Sequence, residues 1–582
     1  MFKSFSSPYI RRIQHHINEL YGSRTPECME RLSMLVGRYA LGYDLPVMEP
    51  RWDQRTSLLI TYGDMIQARG EKPLVTLKRF LDGRLKGAID TVHILPFSPY
   101  SSDDGFSVID YREVNPELGD WENIRAIADN FKLMFDLVLN HCSSESSWYK
   151  DFLNGIAPAR HYFIECDPEA DLDAVVRPRT SPLLTSAITP SGLIHVWTTF
   201  SDDQVDLNFA NPDVLFEFLD ILLFYISQGA QIFRLDAIAY LWKEIGSSCI
   251  HLPQTHTLVR LFRDFLEMIS PNTLILTETN VPHDENISYF GSGDEAHIVY
   301  QFSLPPLLLH TLLSGNSHYL TEWAMNLPDA REGCTFLNFT ASHDGIGVRP
   351  LEGLLPDEDI AQLVAKVQQC GGFVSKKQNT DGSESPYELN ITYFEALGEP
   401  GQPDSEFHAP RFLCSQTIPL GLKGIPALYF HSLVATPNDF VNVDRTGQPR
   451  SINRKKWRES ELLRLLSDQD TSNSRVFNEL VRLLKIRSEH AAFHPDGGQL
   501  VYDLGVELFA FSRTSVDKLE TIVCISNVTS EEISAPIDGQ IPSLEGESKY
   551  LDLINQEILH PEQGRIILSP YETVWLSIPG TK

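Results

Sequence analysis

Short apolar runs that alternate with longer amphipathic stretches constrain the fold of this chain most strongly. Between residues 58 and 430, seven runs have a nearly continuous apolar content: LLITY, TVHILPF, LMFDLVLN, IFRLD, TLILTET, CTFLNFT and IPALYF. Strands of a parallel sheet are buried on both faces, so they appear as continuous apolar runs with helices between them. The alternation therefore predicts repeated βα units on a parallel sheet.

A weaker run at 297–302 (HIVYQF) brings the number to eight, the number that closes a (β/α)8 TIM barrel. About ninety residues separate LMFDLVLNH from IFRLD, and about eighty separate ASHDG from IPALYF. Both gaps are too long for a βα loop and are rich in Pro, Gly, Ser and Asp. Each gap predicts a subdomain inserted over one face of the barrel.

These patterns divide the chain into five parts. Residues 1–50 carry apolar residues at helical spacing and predict an N-terminal helical extension. Residues 498–582 alternate apolar and polar positions between turn residues, which predicts an antiparallel β domain. We assign the barrel to 51–142, 206–345 and 406–497, an inserted domain B to 143–205, and a second inserted lid subdomain to 346–405.

Charge and cysteine content narrow the possible partners and the compartment. The formal net charge is −30, which excludes an extended surface for nucleic acid or anionic lipid, since both need clustered Lys and Arg. The eight cysteines form no C-x-x-C pair, and no stretch has the apolar length of a signal peptide core or a membrane span. We expect a cytoplasmic protein with reduced thiols that is a monomer or a homodimer.

Polar residues close several of the apolar runs, at the barrel face where active sites of this fold lie. The residues that end these runs are Asp136, Asn140, His141, Arg234, Asp236, Glu278, Asn280, His343 and Asp344. Strands that end at one face bring such side chains into one pocket. Acids, histidines and an arginine together are the composition that cleavage of a glycosidic bond requires.

Two carboxyl groups perform that chemistry in a retaining mechanism, one as nucleophile and one as proton donor, roughly 5 to 5.5 Å apart. Asp236 and Glu278 end adjacent predicted strands and fit this requirement. Arg234 lies two positions before Asp236, hence on the same strand face, where its cation favours an ionised carboxylate. His141, His343 and Asp344 suit hydrogen bonding to sugar hydroxyls.

Four segments in order, DLVLNH, FRLDA, TETN and SHDG, resemble the conserved blocks of the α-amylase-type family, glycoside hydrolase family 13. The resemblance implies that Asp236 is the nucleophile, Glu278 the acid/base and Asp344 the third acid that stabilises the distorted ring. Asn140 matches a position that is a calcium ligand in amylases, but the other oxygens that calcium needs are not evident in the sequence. We therefore predict neither a metal nor an organic cofactor.

Most of residues 55–500 resembles the sucrose phosphorylase group of that family more closely, through segments such as SSDDGFSVIDYREVNPELGDW, RPRTSPLL, WTTFSDDQVDLN, HDGIGVRPLEGLLPDEDI and SINR. This resemblance implies transfer of a glucosyl unit to inorganic phosphate, with retention. The residues it implies for the glucose subsite are Asp103, Phe106, His141, Gln204, Arg234, His343 and Arg454. Those it implies for phosphate or acceptor binding are Arg179, Tyr240, Asn280, Tyr387 and Glu388.

The chain departs from sucrose phosphorylases on the side of the leaving group. Asn280 replaces a histidine, and Ser385-Pro386-Tyr387-Glu388 replaces Asp-Leu-Tyr-Gln. These versions are more similar to glucosylglycerate and glucosylglycerol phosphorylases, and a glycerate carboxylate suits the cation of Arg179. Sucrose or sucrose 6′-phosphate phosphorolysis, a family 13 hydrolase or transglucosidase, and a catalytically inactive barrel remain as alternatives. The intact acids disfavour the last of these.

Overall fold

A closed barrel of eight parallel strands forms the centre of the molecule. The computed structural model describes residues 8–39, 49–378, 383–402 and 405–578. The barrel strands are β1 (Leu58–Thr61), β2 (Thr91–Ile94), β3 (Lys132–Val138), β4 (Ala230–Asp236), β5 (Leu274–Thr277), β6 (Ile298–Tyr300), β7 (Thr335–Phe339) and β8 (Ile425–Tyr429). Each strand pairs with the preceding one, and β8 closes on β1. The predicted (β/α)8 barrel, including its weak sixth run, is confirmed.

Helices surround the barrel and follow the strands along the chain. The helices of the barrel layer are Pro73–Arg84, Trp121–Ala128, Pro212–Ser227, Pro253–Ile269, His283–Ile287, Leu304–Ser314, His318–Asn326, His408–Gly421, Phe430–Leu433, Phe440–Thr446, Glu459–Ser467 and Ser472–Glu489. Within the described residues, none of the helices has the length and apolarity to cross a membrane.

Two helices precede the barrel, α1 (Pro8–Tyr21) and α2 (Thr25–Arg38). Their apolar faces bury Ile13 and Ile17 against the barrel helices. Arg12 of α1 donates three hydrogen bonds to the carboxylate of Asp264, at 2.7, 2.9 and 3.0 Å, which fix the position of α1 on helix Pro253–Ile269.

Two segments interrupt the barrel on the face where its strands end. The first contains the helix Ser147–Leu153, the hairpin Leu184–Thr189 and Gly192–Trp197, and the antiparallel pair His141–Ser143 and Gln204–Asp206. The second contains the strands Ile346–Gly347, Phe373–Gln378 and Glu384–Asn390 and the helices Asp357–Gln369 and Tyr393–Ala396. A short parallel pair, Ile66–Gln67 with Trp457–Arg458, lies outside both segments.

The C-terminal part is an antiparallel β structure. Its six-stranded sheet contains, in spatial order, Gly498–Tyr502, Leu508–Thr514, Thr521–Asn527, Thr573–Ser577, Tyr550–Asp552 and Glu557–Leu559, and a separate pair joins Ile533–Pro536 to Arg565–Leu568. Residues 1–7 and 40–48 of the predicted extension, 379–382 and 403–404 of the predicted lid, and 579–582 of the predicted C-terminal domain lie outside the described residues.

Strand register positions the polar residues at the end of the barrel. On β3 and β4, Asp136 lies opposite Arg234, and Val138 lies opposite Asp236. On β4 and β5, Leu235 lies opposite Thr277, so that Glu278 immediately follows the last paired residue of β5. Because parallel strands end at the same face, the side chains of these three strands meet above the barrel core.

Candidate active site

A cavity opens at this face of the barrel. All predicted site residues line it except Arg454 and Glu388, which lie one layer behind. The predicted residues in the lining are Asp103, Phe106, His141, Arg179, Gln204, Arg234, Asp236, Tyr240, Glu278, Asn280, His343, Asp344 and Tyr387. Most of the residues predicted from the sequence therefore lie around one cavity.

A chain of buried hydrogen bonds beneath the cavity links His93, Asp136, Arg234 and Asp236. The Nε2 atom of His93 lies 2.7 Å from one carboxylate oxygen of Asp136, whose other oxygen accepts a hydrogen bond from Arg234. The same Nη1 atom of Arg234 donates to Asp236 at 2.7 Å. Arg234 is 3% exposed, so water screens these interactions little and the guanidinium holds the Asp236 carboxylate in one orientation.

Asp236 and Glu278 form a tightly coupled pair. The backbone N–H of Ala237, which directly follows Asp236, donates to Glu278 Oε2 at 3.0 Å. Burial raises the pKa of both carboxyl groups, and the charge of Asp344 raises the pKa of Glu278 further. Because Arg234 bonds directly to Asp236, we assign the negative charge to Asp236 and the proton to Glu278.

Asp344 differs from this pair in its ionisation. Burial alone would raise its pKa, but the cation of Arg450 holds the pKa well below its usual range. Arg450 Nη1 lies 2.7 Å from Asp344 Oδ1. Asp344 is therefore a permanent carboxylate, able to accept hydrogen bonds from two sugar hydroxyls.

One wall of the cavity combines an aromatic stack with neutral histidines. The rings of Phe106 and His343 stack at 4.7 Å with an interplanar angle of 7°. Burial lowers the pKa of His343 to about 3 and also lowers the pKa of His141. His141 Nε2 lies 2.9 Å from the backbone oxygen of Phe106, and Gln204 Nε2 lies 3.1 Å from the same nitrogen. Neutral imidazoles and an amide suit the hydroxyl groups of a sugar.

The loop that carries Asp103 and Phe106 is held in a strained conformation. Asp103 and Asp104 have φ angles of +52° and +48°, a region that non-glycine residues enter at a cost of about 1 to 3 kcal/mol. Five serine hydroxyls donate to the carboxylate of one residue of the first insertion, Asp203: those of Ser101, Ser102 and Ser107 from this loop, and those of Ser143 and Ser144 from the start of the insertion. These hydrogen bonds lower the pKa of Asp203 against the opposing effect of burial, and they tie the loop to the segment that carries Gln204.

Arg454 supports this loop from behind. It donates from Nη1 to Asp104 at 2.7 Å and from Nε to the backbone oxygen of His343 at 2.9 Å, while Asp103 Oδ1 lies 3.9 Å away. Arg454 is 3% exposed. Arg454 and Asp103, which the sequence predicted to bind the sugar directly, thus make some of their contacts with each other and with other protein groups.

The opposite wall holds a cation and neutral hydrogen-bonding groups. Arg179, from the first insertion, is half-buried beside Tyr240 and Tyr387, and its charge counteracts the rise in the pKa of both phenols that burial produces. The effect of burial is the larger of the two, so both phenols remain neutral hydroxyl donors. The side-chain oxygen of Asn280 is buried without a hydrogen-bond partner, and a β-carbon on Gly347 would lie 2.8 Å from it. The wall thus presents one guanidinium, two hydroxyls and an amide.

A buried lysine neutralises oxygens beneath the first insertion. Lys243 Nζ lies 2.5 Å from Asn140 Oδ1 and 2.6 Å from Asp206 Oδ2, and its side chain is 3% exposed. Asp206 also accepts hydrogen bonds from the backbone N–H and hydroxyl of Thr199. An ammonium group therefore joins the end of β3, the base of the first insertion and the loop after Asp236. No group of three His, Cys, Asp or Glu side chains suited to a metal ion occurs in the described part of the chain.

Sequence reasoning missed Arg450, Lys243 and Asp203. Arg450 lies four residues before Arg454 in PRSINR, and Lys243 lies seven residues after Asp236. Their position beside SINR and shortly after FRLDA, two segments that carry the family resemblance, could have identified these two basic residues. Asp203 precedes Gln204 in SDDQ and carries no pattern of its own.

Comparison with known proteins agrees with this geometry. The family model "Alpha amylase, catalytic domain" matches residues 86–335. The glucosylglycerate phosphorylase of Spirochaeta thermophila is 47% identical over 531 residues, 90% of each chain. The sucrose phosphorylase of Bifidobacterium adolescentis is 30% identical over 75% of this chain and 85% of that protein. The crystal structure of sucrose 6F-phosphate phosphorylase from Thermoanaerobacter thermosaccharolyticum superposes with a TM-score of 0.73 at 24% identity, over 88% of this chain and 98% of that one, which shows a shared fold.

Proposed function

The chain belongs to the α-amylase family, glycoside hydrolase family 13, and on this premise we propose that it is a retaining α-glucoside phosphorylase whose substrate is a glucosylglycerate. Its products are α-glucose 1-phosphate and glycerate. The observation that carries the proposal is the position of Arg179 in the same cavity as the Asp236 and Glu278 pair. A cation at that point suits an anionic leaving group and an anionic acceptor alike.

In the first half-reaction, the carboxylate of Asp236 attacks the anomeric carbon and forms a β-glucosyl ester. The glycosidic C–O bond breaks, and the proton of Glu278 goes to the departing oxygen. Glycerate therefore leaves with a neutral hydroxyl group at that position and with its carboxylate unchanged. Arg234 orients the nucleophile. Asp344, ionised beside Arg450, stabilises the positive charge that develops on the ring.

In the second half-reaction, a phosphate oxygen attacks the anomeric carbon from the face that glycerate left. The ester bond breaks and restores the Asp236 carboxylate, while Glu278, now a base, takes a proton from a monoprotonated phosphate. Two inversions give net retention. Arg179, with the hydroxyl of Tyr387, binds the phosphate where it earlier bound the glycerate carboxylate, so that one cation serves both half-reactions.

The leaving-group side favours glycerate over a neutral polyol. Arg179 supplies a charge-assisted hydrogen bond to a carboxylate, which is roughly twice as strong as a neutral one. The unpartnered oxygen of Asn280 is available to a glycerate hydroxyl. A ligand that lacks these groups leaves a buried polar atom unpaired, which costs about 1 to 3 kcal/mol.

The decisive assay runs in the synthesis direction. Purified protein is incubated with α-glucose 1-phosphate and, separately, with D-glycerate, glycerol and fructose, and the release of phosphate and of free glucose is measured. We expect phosphate release with glycerate and a smaller rate with glycerol. Release with fructose alone would identify a sucrose phosphorylase, and free glucose at a rate independent of acceptor would identify a hydrolase; either result rejects the proposal.

A pair of arginine variants tests the role of the cation. Arg179→Ala should lower kcat/KM for phosphate and for glycerate as acceptors by about 10- to 100-fold, while kcat/KM for glycerol, measured with α-glucosyl fluoride as donor, changes little. Arg160→Ala, at an exposed position of the same insertion, is the matched control and should leave all rates unchanged.

A further inference from the structure

Glu388 is buried at the boundary between the second insertion and the barrel. It lies on strand Glu384–Asn390 and is 1% exposed. Its carboxylate accepts hydrogen bonds from Arg450 Nε at 2.9 Å and Nη2 at 2.5 Å, and from the backbone N–H of Gly345 at 3.0 Å. Both carboxylate oxygens are engaged within the protein, so Glu388 fixes the plane of the Arg450 guanidinium.

The two partners of Glu388 flank Asp344. Gly345 directly follows Asp344 in the chain, and Arg450 Nη1 lies 2.7 Å from Asp344 Oδ1. A β-carbon on Gly345 would lie 2.5 Å from Glu388 Cγ, closer than any β-carbon is found to a neighbour. The Glu388 carboxylate therefore holds the backbone of Asp344 through Gly345 and the side chain of Asp344 through Arg450.

We propose that Glu388 is a positioning residue for Asp344, acting through Arg450, rather than a residue that binds the acceptor. This inference rests on the proposed glucosyl transfer for its reaction but not on the identity of the acceptor. Arg450 lines the cavity, whereas Glu388 lies behind it. Because the two hydrogen bonds of Glu388 fix the plane of the Arg450 guanidinium, removal of the Glu388 charge lets the guanidinium turn, and the Asp344 carboxylate bonded to it loses its fixed orientation.

A positioning role of Glu388 predicts a different effect of its replacement than a role in acceptor binding does. Asp344 acts on the glucosyl unit, which is present in the transition states of both half-reactions. Loss of its orientation therefore lowers the rate of every glucosyl transfer by a similar factor, whatever leaves and whatever attacks. A residue that binds the acceptor affects only reactions with that acceptor.

The test uses α-glucosyl fluoride, whose leaving group is a single atom that makes no contact with the acceptor wall. For Glu388→Gln we expect kcat/KM for this donor to fall by about 10- to 100-fold, the effect of one charged hydrogen bond, and kcat/KM for phosphate and for glycerol to fall by the same factor. Glu384→Gln is the matched control, since Glu384 lies exposed on the same strand and pairs with Lys376. This control should keep all three values.

Arg450→Lys supplies a second, independent variant, because lysine keeps the charge but loses the planar fork. It should reproduce the loss of Glu388→Gln, and the double variant should be no worse than the weaker single variant, since both act through one contact. Unchanged turnover of the fluoride with a loss confined to phosphate would overturn the proposal, and so would additive losses in the double variant. If the wild-type protein hydrolyses the fluoride without stimulation by phosphate, the proposed phosphorylase function fails. The role of Glu388 is still tested in that case, because the rates of fluoride hydrolysis by the wild type and by Glu388→Gln can be compared.

Discussion

Replacement of Lys243 by methionine tests how much the buried ammonium contributes to stability. Methionine keeps an unbranched chain of similar length and removes the charge. Asp206 would then retain its bonds to Thr199 and the amide of Asn140, but no cation would remain within contact of its buried carboxylate. Removal of one partner of a buried ion pair costs about 3 to 5 kcal/mol, and we expect Lys243→Met to destabilise the barrel by this amount.

The expected loss of stability depends on two opposing effects at Lys243, the cost of burying its charge and the attraction of Asp206. Burial lowers the pKa of the lysine despite the opposing charge of Asp206, so the attraction between the two groups does not fully compensate for their removal from water. Replacing both charges by Lys243→Met with Asp206→Asn should therefore recover most of the loss. The expected coupling between the two sites is about 2 kcal/mol or more.

Urea unfolding of the full chain, followed by tryptophan fluorescence and by loss of activity at each urea concentration, gives the free energies of unfolding for the four proteins of the cycle. Lys150→Met is the control, since Lys150 is exposed in the same region. A cost below about 1 kcal/mol for the single variant, or a double variant as unstable as the sum of the two singles, would refute the reasoning.

Four further outcomes are expected. Asp236→Asn should lower turnover by about 10⁴-fold or more without loss of fold, as measured by steady-state kinetics and circular dichroism; residual turnover near wild type would contradict its role as nucleophile. Because burial raises the pKa of Glu278, which must be protonated to act as acid, activity should fall with rising pH only above the usual range of a glutamic acid. Glu278→Gln should remove this limb and lose about 10²- to 10⁴-fold with alkyl glucosides, while the first step with α-glucosyl fluoride, measured as a burst of fluoride, is retained. Asp203→Ala should raise KM for all glucosyl donors by about tenfold and leave KM for acceptors unchanged, because the loop of Asp103 loses its serine contacts; a change limited to acceptors would argue against this. Dialysis against a chelator should leave initial rates unchanged, since Lys243 supplies the positive charge beneath the first insertion, and a loss that added calcium reverses would be incompatible with that view.

The barrel was predictable because burial on both faces leaves a continuous apolar run for each strand. The sixth run was weak because β6 has only three residues, Ile298–Tyr300. The catalytic candidates were predictable for a related reason: strand ends place Asp236, Glu278 and the residues after β7 at one face. Their position follows from the local pattern and the closure of the sheet.

The residues that sequence reasoning missed depend on contacts between distant segments. Arg450 meets Glu388 across 62 positions, Lys243 meets Asn140 across 103, and Asp203 meets Ser101 across 102. Such pairs are fixed only when the two insertions fold back over the barrel. For the same reason the sequence placed Glu388 beside the acceptor, whereas the structure turns its side chain toward Arg450.

The first insertion contributes to both walls of the cavity, with Gln204 beside the histidine wall and Arg179 on the wall opposite. Gln204 and Arg179 belong to one continuous segment, which contacts the barrel through Asp203 and Lys243, so exchange of the segment replaces both residues together. Chimeras that exchange residues 143–205 with a relative of different acceptor preference would therefore alter donor recognition as well. Under the proposed function, we expect single replacements at Asn280 or Tyr387, which line the same cavity but belong to other segments of the chain, to change acceptor selectivity without this cost.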